Sequence, residues 1–225
     1  MHTRAPLLLL SGMGADARVF AAQQKALPQL RVPAWIPPEK DETLAHYAER
    51  FATLINPGEP CFIGGASFGG FVALEMLPHL EARACFLIGS VRSPAEFPGS
   101  IQTLRKLSKL AGAIPFELAS LMSKLALWSS GPLIGPHGTA LLAQLSESDA
   151  DFLRWACEAV LQWPGTASSP AIPTFQIHGE KDLVLPLSLT RPDVVVPGAG
   201  HALSMSHPQA VTDFLEQRIN SFGLK

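Results

Sequence analysis

The chain has 225 residues, of which 47% are hydrophobic and 16% charged, and its formal net charge is −2. This composition excludes a disordered chain and favours one medium-sized globular domain. The near-neutral charge gives no general attraction to nucleic acid or to an anionic membrane, and no stretch of the sequence approaches 18 uninterrupted apolar residues.

The first ten residues, MHTRAPLLLL, resemble a signal peptide because one arginine precedes four leucines. The apolar run ends at Ser11 and no A-x-A cleavage site follows it, so we expect it to belong to the folded domain. The three cysteines are odd in number and lie in apolar segments, which favours buried thiols over a disulfide. We therefore expect a cytoplasmic protein.

Short apolar runs alternate with helical patterns along most of the chain. The runs are four to seven residues long and are bounded by Gly and Pro, which is typical of strands buried on both faces. Strands are predicted at 6–10, 30–36, 60–64, 84–89, 173–178 and 193–196, and helices at 18–27, 41–55 and 68–77. The alternation predicts an α/β fold, with a mostly parallel sheet of about six strands and helices on both faces.

Residues 91–170 interrupt this alternation. Only helical patterns are visible there, and they are predicted at 101–111, 116–128, 139–145 and 150–163. We predict that 1–90 and 171–225 form one core and that 91–170 is a helical insertion between two strands of its sheet.

The loop after the first predicted strand has two interpretations. The letters GMGADA at 12–17 match G-x-G-x-x-A, the dinucleotide-binding fingerprint, in a strand–turn–helix setting. Glycines also let a backbone approach a reacting oxyanion closely. A helix start favours anions in either case, so other segments must decide between the two.

A second glycine-rich turn, GGASFGG, follows the third predicted strand and contains Gly65-Ala66-Ser67-Phe68-Gly69. G-x-S-x-G at a strand-to-helix turn is the nucleophile elbow, which lifts the serine hydroxyl above the sheet. The alternative is a plain glycine-rich turn, because the bare pattern also arises by chance. Its position between a strand and a helix favours Ser67 as a nucleophile.

A serine nucleophile needs a histidine base that is oriented by a carboxylate. Asp182 follows the fifth predicted strand, with Glu180 as the alternative acid, and His201 follows the sixth. Loops at the carboxyl ends of strands assemble the sites of open α/β sheets. Of the other histidines in this region, His178 is predicted to be a hydrogen-bonded structural residue, and His207 a capping residue.

The segments SGMG, GASFGG, HGEKDLVLP and GAGHALSMSHP together resemble the α/β-hydrolase superfamily, in its family order. The resemblance implies a Ser67–His201–Asp182 triad and an oxyanion hole formed by the backbone N–H groups of Met13 and Phe68. A dinucleotide-binding protein would not need these segments in this order, so the oxyanion interpretation of the first loop is favoured. A serine at the elbow also argues against the dehalogenase branch, which uses aspartate there.

The resemblance implies further that the insertion is a lid over the substrate pocket. Aromatic and thioether side chains could line that pocket or simply pack the lid onto the core; those predicted to line it are Phe97, Met122, Trp128 and Trp155. The lid is mildly basic, with Arg105 and Lys109 one helical turn apart. This face is either solvated or recognises an anionic acyl group or an acidic carrier protein.

The sequence therefore predicts a serine hydrolase that cleaves a small-molecule carboxylic ester or thioester. No metal cluster or cofactor motif is visible, so no cofactor is expected. An acyltransferase or a carbon–carbon bond hydrolase with the same triad remains an alternative, as does a ligand-binding receptor with little turnover.

Overall fold

The structure, a computed structural model, describes residues 5–111, 136–166 and 172–223. Within them six parallel strands form one sheet in the order β2-β1-β3-β4-β5-β6. The strands are β1 (Leu7–Leu10), β2 (Leu30–Arg31), β3 (Cys61–Ala66), β4 (Ala82–Ile88), β5 (Thr174–Gly179) and β6 (Val194–Val196). The predicted α/β fold is confirmed.

The second strand is shorter than predicted. The pattern at 30–36 predicts seven residues, but β2 contains two. Proline has no N–H to donate to a neighbouring strand, and Pro33 lies in the segment that the prediction included. The remainder of that segment leaves the sheet and carries Trp35 over the core.

Helices of the described residues follow the strands. They are α1 (Ala21–Ala26), α2 (Leu44–Ile55), α3 (Phe68–Met76), α4 (Gly99–Ala111), α5 (Pro136–Glu147), α6 (Ala150–Gln162), α7 (Leu203–Ser206) and α8 (Pro208–Ser221). The predicted helix at 18–27 is divided, since its first turn, Ala17–Phe20, is a 3-10 helix capped by the Asp16 carboxylate. The predicted helix at 116–128 lies outside the described residues.

The sheet has an apolar layer on each face. Side chains alternate along β1, so that Leu8 and Leu10 join one layer while Leu7 and Leu9 join the other. The first layer includes side chains of α2, α3 and α6, and the second includes side chains of α8. The loops at the carboxyl ends of the strands therefore rest on a sheet that is buried on both sides.

Helices α4, α5 and α6 all lie between β4 and β5 in the chain. Helix α6 begins at a cap formed by Asp149, whose carboxylate accepts the Phe152 N–H, and it buries Phe152, Trp155 and Ala156 against the core. The division of the chain at 91 and 170, with a lid between, stays a prediction.

All three cysteines are free, and two of them, Cys61 and Cys85, are buried. Burial raises the pKa of the Cys61 thiol to about 11 and that of Cys85 to about 12, so both are protonated near neutral pH.

Within the described ranges, no helix is both long enough and apolar enough to span a bilayer.

Candidate active site

Ser67 occupies the sharp turn between β3 and α3. Its backbone has φ 50° and ψ −119°, a left-handed conformation that non-glycine residues rarely adopt. The Ser67 N–H donates to the Ile88 carbonyl of β4, while the Ser67 carbonyl accepts the Gly70 N–H and the Ser90 hydroxyl. Hydrogen bonds to both the N–H and the carbonyl of Ser67 thus hold the turn in place.

The turn also needs glycine because strand and helix approach each other closely. A Cβ atom on Gly65 would lie 2.3 Å from the backbone of Gly69. A Cβ atom on Gly69 would lie 2.3 Å from both the Leu10 and the Ser11 carbonyl oxygens. The two glycines of G-x-S-x-G therefore satisfy a packing requirement as well as matching a pattern.

The structure brings together the three residues predicted to form the triad. His201 Nε2 lies 2.9 Å from Ser67 Oγ, and His201 Nδ1 lies 2.8 Å from Asp182 Oδ2. Since a carboxylate can only accept, the proton on His201 resides on Nδ1, and Nε2 is left to accept from the serine hydroxyl. The His201 side chain keeps 22% of its surface exposed.

Asp182 is held by several donors besides His201. Its Oδ1 accepts the N–H groups of Val184 and Leu185, both at 2.9 Å, in the turn that follows it. The side chain is fully buried, and His178 Nε2 lies 3.3 Å from Oδ2. The alternative acid, Glu180, instead accepts the Gly198 N–H and is exposed.

The pKa values of the acid and the base move in opposite directions. Burial opposes the charged carboxylate of Asp182, but the charge of His201 and the hydrogen bonds outweigh it and hold the pKa of Asp182 well below its usual range. Burial likewise opposes the charged His201, yet the charge and hydrogen bond of Asp182 raise the pKa of His201 above its ordinary value. Asp182 is therefore ionised across the neutral range.

The two other histidines that the sequence singles out near this site, His178 and His207, bond other groups than Ser67. His178 is buried, and its Nε2 donates to the Leu185 carbonyl at 2.6 Å, which helps to fix the loop that carries Asp182. His207 precedes α8, as expected of a cap, but its ring bonds the Ser206 hydroxyl and caps no helix N–H.

The first glycine loop lies directly beside Ser67. A Cβ atom on Gly12 would be 3.8 Å from Ser67 Cβ and 3.8 Å from the Ala66 carbonyl oxygen. Met13 follows on the same loop and packs partly buried against the core, with its sulfur 3.6 Å from the Cys157 sulfur of α6. Phe68 is buried at the start of α3. The oxyanion-hole roles of Met13 and Phe68 stay predictions.

Two of the four residues predicted to line a pocket are described, and both are buried. Trp155 packs against Tyr47 and Phe68, with ring centroids 4.2 and 6.0 Å away. Phe97 packs against Phe71 and Trp163, with ring centroids 5.5 and 6.0 Å away. Met122 and Trp128 lie outside the described residues. A role in a substrate pocket stays a prediction for all four.

Arg105, one residue of the basic face predicted on the insertion, makes hydrogen bonds within the protein. The Arg105 guanidinium donates to the carbonyls of Val160 and Trp163 at the end of α6 and lies over the Phe97 ring. Burial lowers the pKa of Arg105. Recognition of an anionic acyl group or an acidic carrier protein by this face stays a prediction.

One group of side chains in the described residues has the composition of a metal site. Glu39, Glu42 and His46 place their ligand atoms within 4.8 Å of one another. Arg50 already donates to both carboxylate oxygens of Glu42 and lies 3.4 Å from Glu39. The group is therefore an ion-pair network that holds the start of α2.

Two residues next to the triad were not singled out by the sequence analysis. Ser90 donates to the Ser67 carbonyl at 2.8 Å from the loop after β4. Trp35 packs against the Phe68 ring with centroids 5.5 Å apart. Trp35 carried one usable signal, since a tryptophan among prolines directly after a strand lies at the edge where the sites of such sheets form.

The comparison to known families agrees with the fold. The model of the "Alpha/beta hydrolase family" matches residues 7–214. The chain belongs to the α/β-hydrolase family. No curated protein sequence matches it.

Solved structures share the α/β-hydrolase fold over nearly the whole chain. A malate-bound esterase from Thermogutta terrifontis has 20% identity and a TM-score of 0.72, covering 98% of this chain and 91% of its own. An esterase from Exiguobacterium antarcticum has 16% identity and a TM-score of 0.68, and the match covers 98% of this chain and 93% of the esterase chain. A variant of the N-acyl homoserine lactonase AidH has 17% identity and a TM-score of 0.69, covering 98% and 90%.

Proposed function

We propose that this α/β-hydrolase cleaves a small carboxylic ester or thioester through Ser67, His201 and Asp182. The observation that carries the proposal is the continuous hydrogen-bonded path from Ser67 Oγ through His201 to the buried Asp182 carboxylate. Esterases and a lactonase among the similar structures support a hydrolase of acyl–oxygen bonds.

The reaction begins when Ser67 Oγ attacks the substrate carbonyl and its proton passes to His201 Nε2. Asp182 stabilises the imidazolium that forms, while the N–H groups of Met13 and Phe68 bind the developing oxyanion, each contributing about 3–4 kcal/mol. His201 then gives the proton to the departing alcohol or thiol, and the acyl group remains on Ser67.

The second half of the reaction restores the free enzyme. Water attacks the acyl carbonyl, His201 Nε2 takes the proton of that water, and the bond to Ser67 Oγ breaks as His201 returns the proton to it. The product acid leaves. Because the pKa of His201 is raised above its ordinary value, its neutral, active form requires a higher pH than that of an ordinary histidine.

The first test is intact-mass analysis after treatment with a fluorophosphonate, followed by an ester and thioester panel. We expect a single adduct on the wild-type protein, none on Ser67→Ala, and none or very slow formation on His201→Ala. His207→Ala is the matched control, because its ring faces Ser206, and it should react like wild type. Folded wild-type protein without an adduct contradicts the proposal and favours a ligand-binding receptor.

A further inference from the structure

The indole N–H of Trp35 differs from those of the other described tryptophans. Trp155 Nε1 donates to the Glu42 carbonyl at 2.7 Å, and Trp163 Nε1 donates to Glu75 at 2.6 Å. Trp35 Nε1 is buried, and within the described part of the chain it has no hydrogen-bond partner. A buried donor without an acceptor destabilises the folded protein, and a bound group that supplies an acceptor would remove this cost.

The Trp35 ring lies between the nucleophile's neighbour and the insertion. Its centroid is 5.5 Å from that of Phe68, which directly follows Ser67, and 5.4 Å from that of Phe152 on α6. Its centroid also lies 5.7 Å from that of Phe51 and 6.4 Å from that of Tyr47. The unpaired donor thus belongs to the junction of core and insertion next to Ser67.

The segment that carries Trp35 is fixed in place. The Tyr47 hydroxyl accepts the Ile36 N–H at 3.2 Å and donates to the Ile36 carbonyl at 3.0 Å. Prolines flank the segment on both sides and restrict its backbone. The indole is therefore preorganised, and a partner must come to it.

The surroundings of the indole are uncharged rings. Arg50 lies over the Tyr47 ring, but its guanidinium donates to Glu42 and to the Pro37 carbonyl. The Glu42 carboxylate accepts from Arg50 and from the Glu39 N–H. With both charges paired, this location suits an uncharged acceptor better than a carboxylate.

The strand order decides which end of a substrate reaches Trp35. His201 and Asp182 follow β6 and β5, on one side of the Ser67 strand, whereas Trp35 follows β2, on the other side. The leaving group must lie beside His201 to receive its proton. An acyl chain that leaves the carbonyl carbon on the side away from His201 would run toward β2.

We propose that Trp35 Nε1 donates a hydrogen bond to an uncharged oxygen on the acyl chain of the substrate. The enzyme then prefers acyl groups that carry an ether, carbonyl or hydroxyl oxygen over plain hydrocarbon chains. This inference rests on the proposed function, since it takes the substrate to be an ester bound at Ser67.

The kinetic test compares 4-nitrophenyl hexanoate with analogues in which an ether oxygen replaces one methylene of the acyl chain in turn. For each analogue, its kcat/KM is divided by that of 4-nitrophenyl hexanoate, in wild type and in Trp35→Phe. Comparing this ratio between the two proteins cancels the intrinsic reactivity of the esters. For one position of the oxygen we expect Trp35→Phe to lower the ratio about fivefold, the effect of one neutral hydrogen bond. Trp163→Phe, which removes an already paired indole, should leave the ratio unchanged.

A second measurement does not depend on turnover. In ¹⁵N-labelled Ser67→Ala protein, the Trp35 indole resonance is identified by its loss in a Trp35→Phe background. We expect its proton to move downfield with the favoured ether-containing ester but not with the hydrocarbon ester. An equal response to both esters, or to neither at saturation, overturns the proposal and leaves water as the partner.

The two proposals fail in different ways. If fluorophosphonate labels Ser67 in Trp35→Phe as in wild type while no ratio changes, the Trp35 inference is wrong and the proposed function stands. If wild type is neither labelled nor active, the proposed function is wrong. The indole resonance then reports alone on whether Trp35 binds an oxygen acceptor.

Discussion

Asp182 shows how a single carboxylate is selected within a loop that contains two. Its Oδ1 accepts two backbone N–H groups of its own turn, which leaves Oδ2 directed at His201. Glu180, two residues earlier, is occupied by the Gly198 N–H instead. The local turn therefore decides which acid reaches the imidazole.

Replacement of Asp182 should move the pH dependence of the reaction in a definite direction. In the proposed reaction His201 acts as a base only when neutral, and Asp182 raises the pKa of His201. We therefore expect kcat/KM to fall as the pH drops through that raised pKa. Asp182→Asn removes the carboxylate that raises the pKa of His201, so the acid limb of the pH–rate profile should shift to lower pH. We also expect kcat to fall about ten-thousand-fold, because the tautomer of His201 is no longer fixed.

Glu180→Gln is the control for this measurement, because it changes a carboxylate in the same loop without touching His201. Its pH–rate profile and kcat should match those of wild type. An unchanged acid limb in Asp182→Asn, or a shifted one in Glu180→Gln, would mean that the acid is wrongly assigned.

At the scale of secondary-structure elements, the elbow depends on how closely α3 approaches the sheet. The helix begins directly after Ser67, and its second residue, Gly69, lies against the carbonyl oxygens at the end of β1. Backbone atoms of a central strand cannot move aside as a flexible side chain can. The spacing between β1 and α3 thus places the nucleophile next to the first glycine loop.

A methyl group at this contact should destabilise the protein. In Gly69→Ala the added Cβ would lie 2.3 Å from two backbone oxygens, so α3 must shift away from β1. We expect the free energy of unfolding to fall by about 1–3 kcal/mol or more, with a lower urea midpoint.

Gly99→Ala provides the comparison, since Gly99 is the exposed first residue of α4. Apart from its chain neighbours and its own helix backbone, no atom of the described residues lies within 4 Å of its added Cβ. Its urea midpoint should stay near that of wild type. Equal midpoints for the two variants would show that the elbow can accommodate the methyl group.

The helices between β4 and β5 cover the first glycine loop. Gln144 of α5 accepts the Asp16 N–H at 3.0 Å, and Arg18 pairs with Glu147 across the same contact. Leu145 lies so near Gly14 that an added Cβ there would be 2.4 Å from it. The loop that carries Met13 is thereby shaped from the insertion side as well as by β1.

For the molecule as a whole, the sequence predicted the sheet well, and it singled out three side chains that the structure brings together. Buried strands have a strong signal because each is a short apolar run between Gly and Pro, and the elbow has a fixed pattern around Ser67. Strand bounds agreed closely except at β2, which is shortened near Pro33.

Contacts between distant segments could not be predicted in this way. The unpaired Trp35 donor and the Ser90 bond to the elbow depend on side-chain packing between loops that are far apart in the chain. Composition and periodicity describe what a segment buries, but not which neighbour it meets. The sequence favoured Asp182 over Glu180 as the acid, but it could not show that the turn at Asp182 directs one oxygen at His201.

The position of β6 in the sheet has a consequence for how the protein loses activity. This strand has three residues, pairs only with β5, and leads to His201. The segment after it is tied to the Asp182 loop by bonds from Lys181 N–H to the Ala199 carbonyl and from Glu180 N–H to the Val196 carbonyl. Short edge strands open at a lower free-energy cost than central ones. Ser67, by contrast, follows β3, which has a strand on each side.

We therefore expect partial unfolding at this edge to remove His201 and Asp182 while the centre of the sheet stays intact. The proposed ester hydrolysis, measured against increasing urea, should decline before the circular dichroism signal does, and amides of β6 should exchange faster than those of β3. Coincident curves would show that the edge and the centre unfold together. On this view the turn that carries Ser67 resists unfolding as long as the whole sheet does, whereas the position of His201 depends on the three residues of β6.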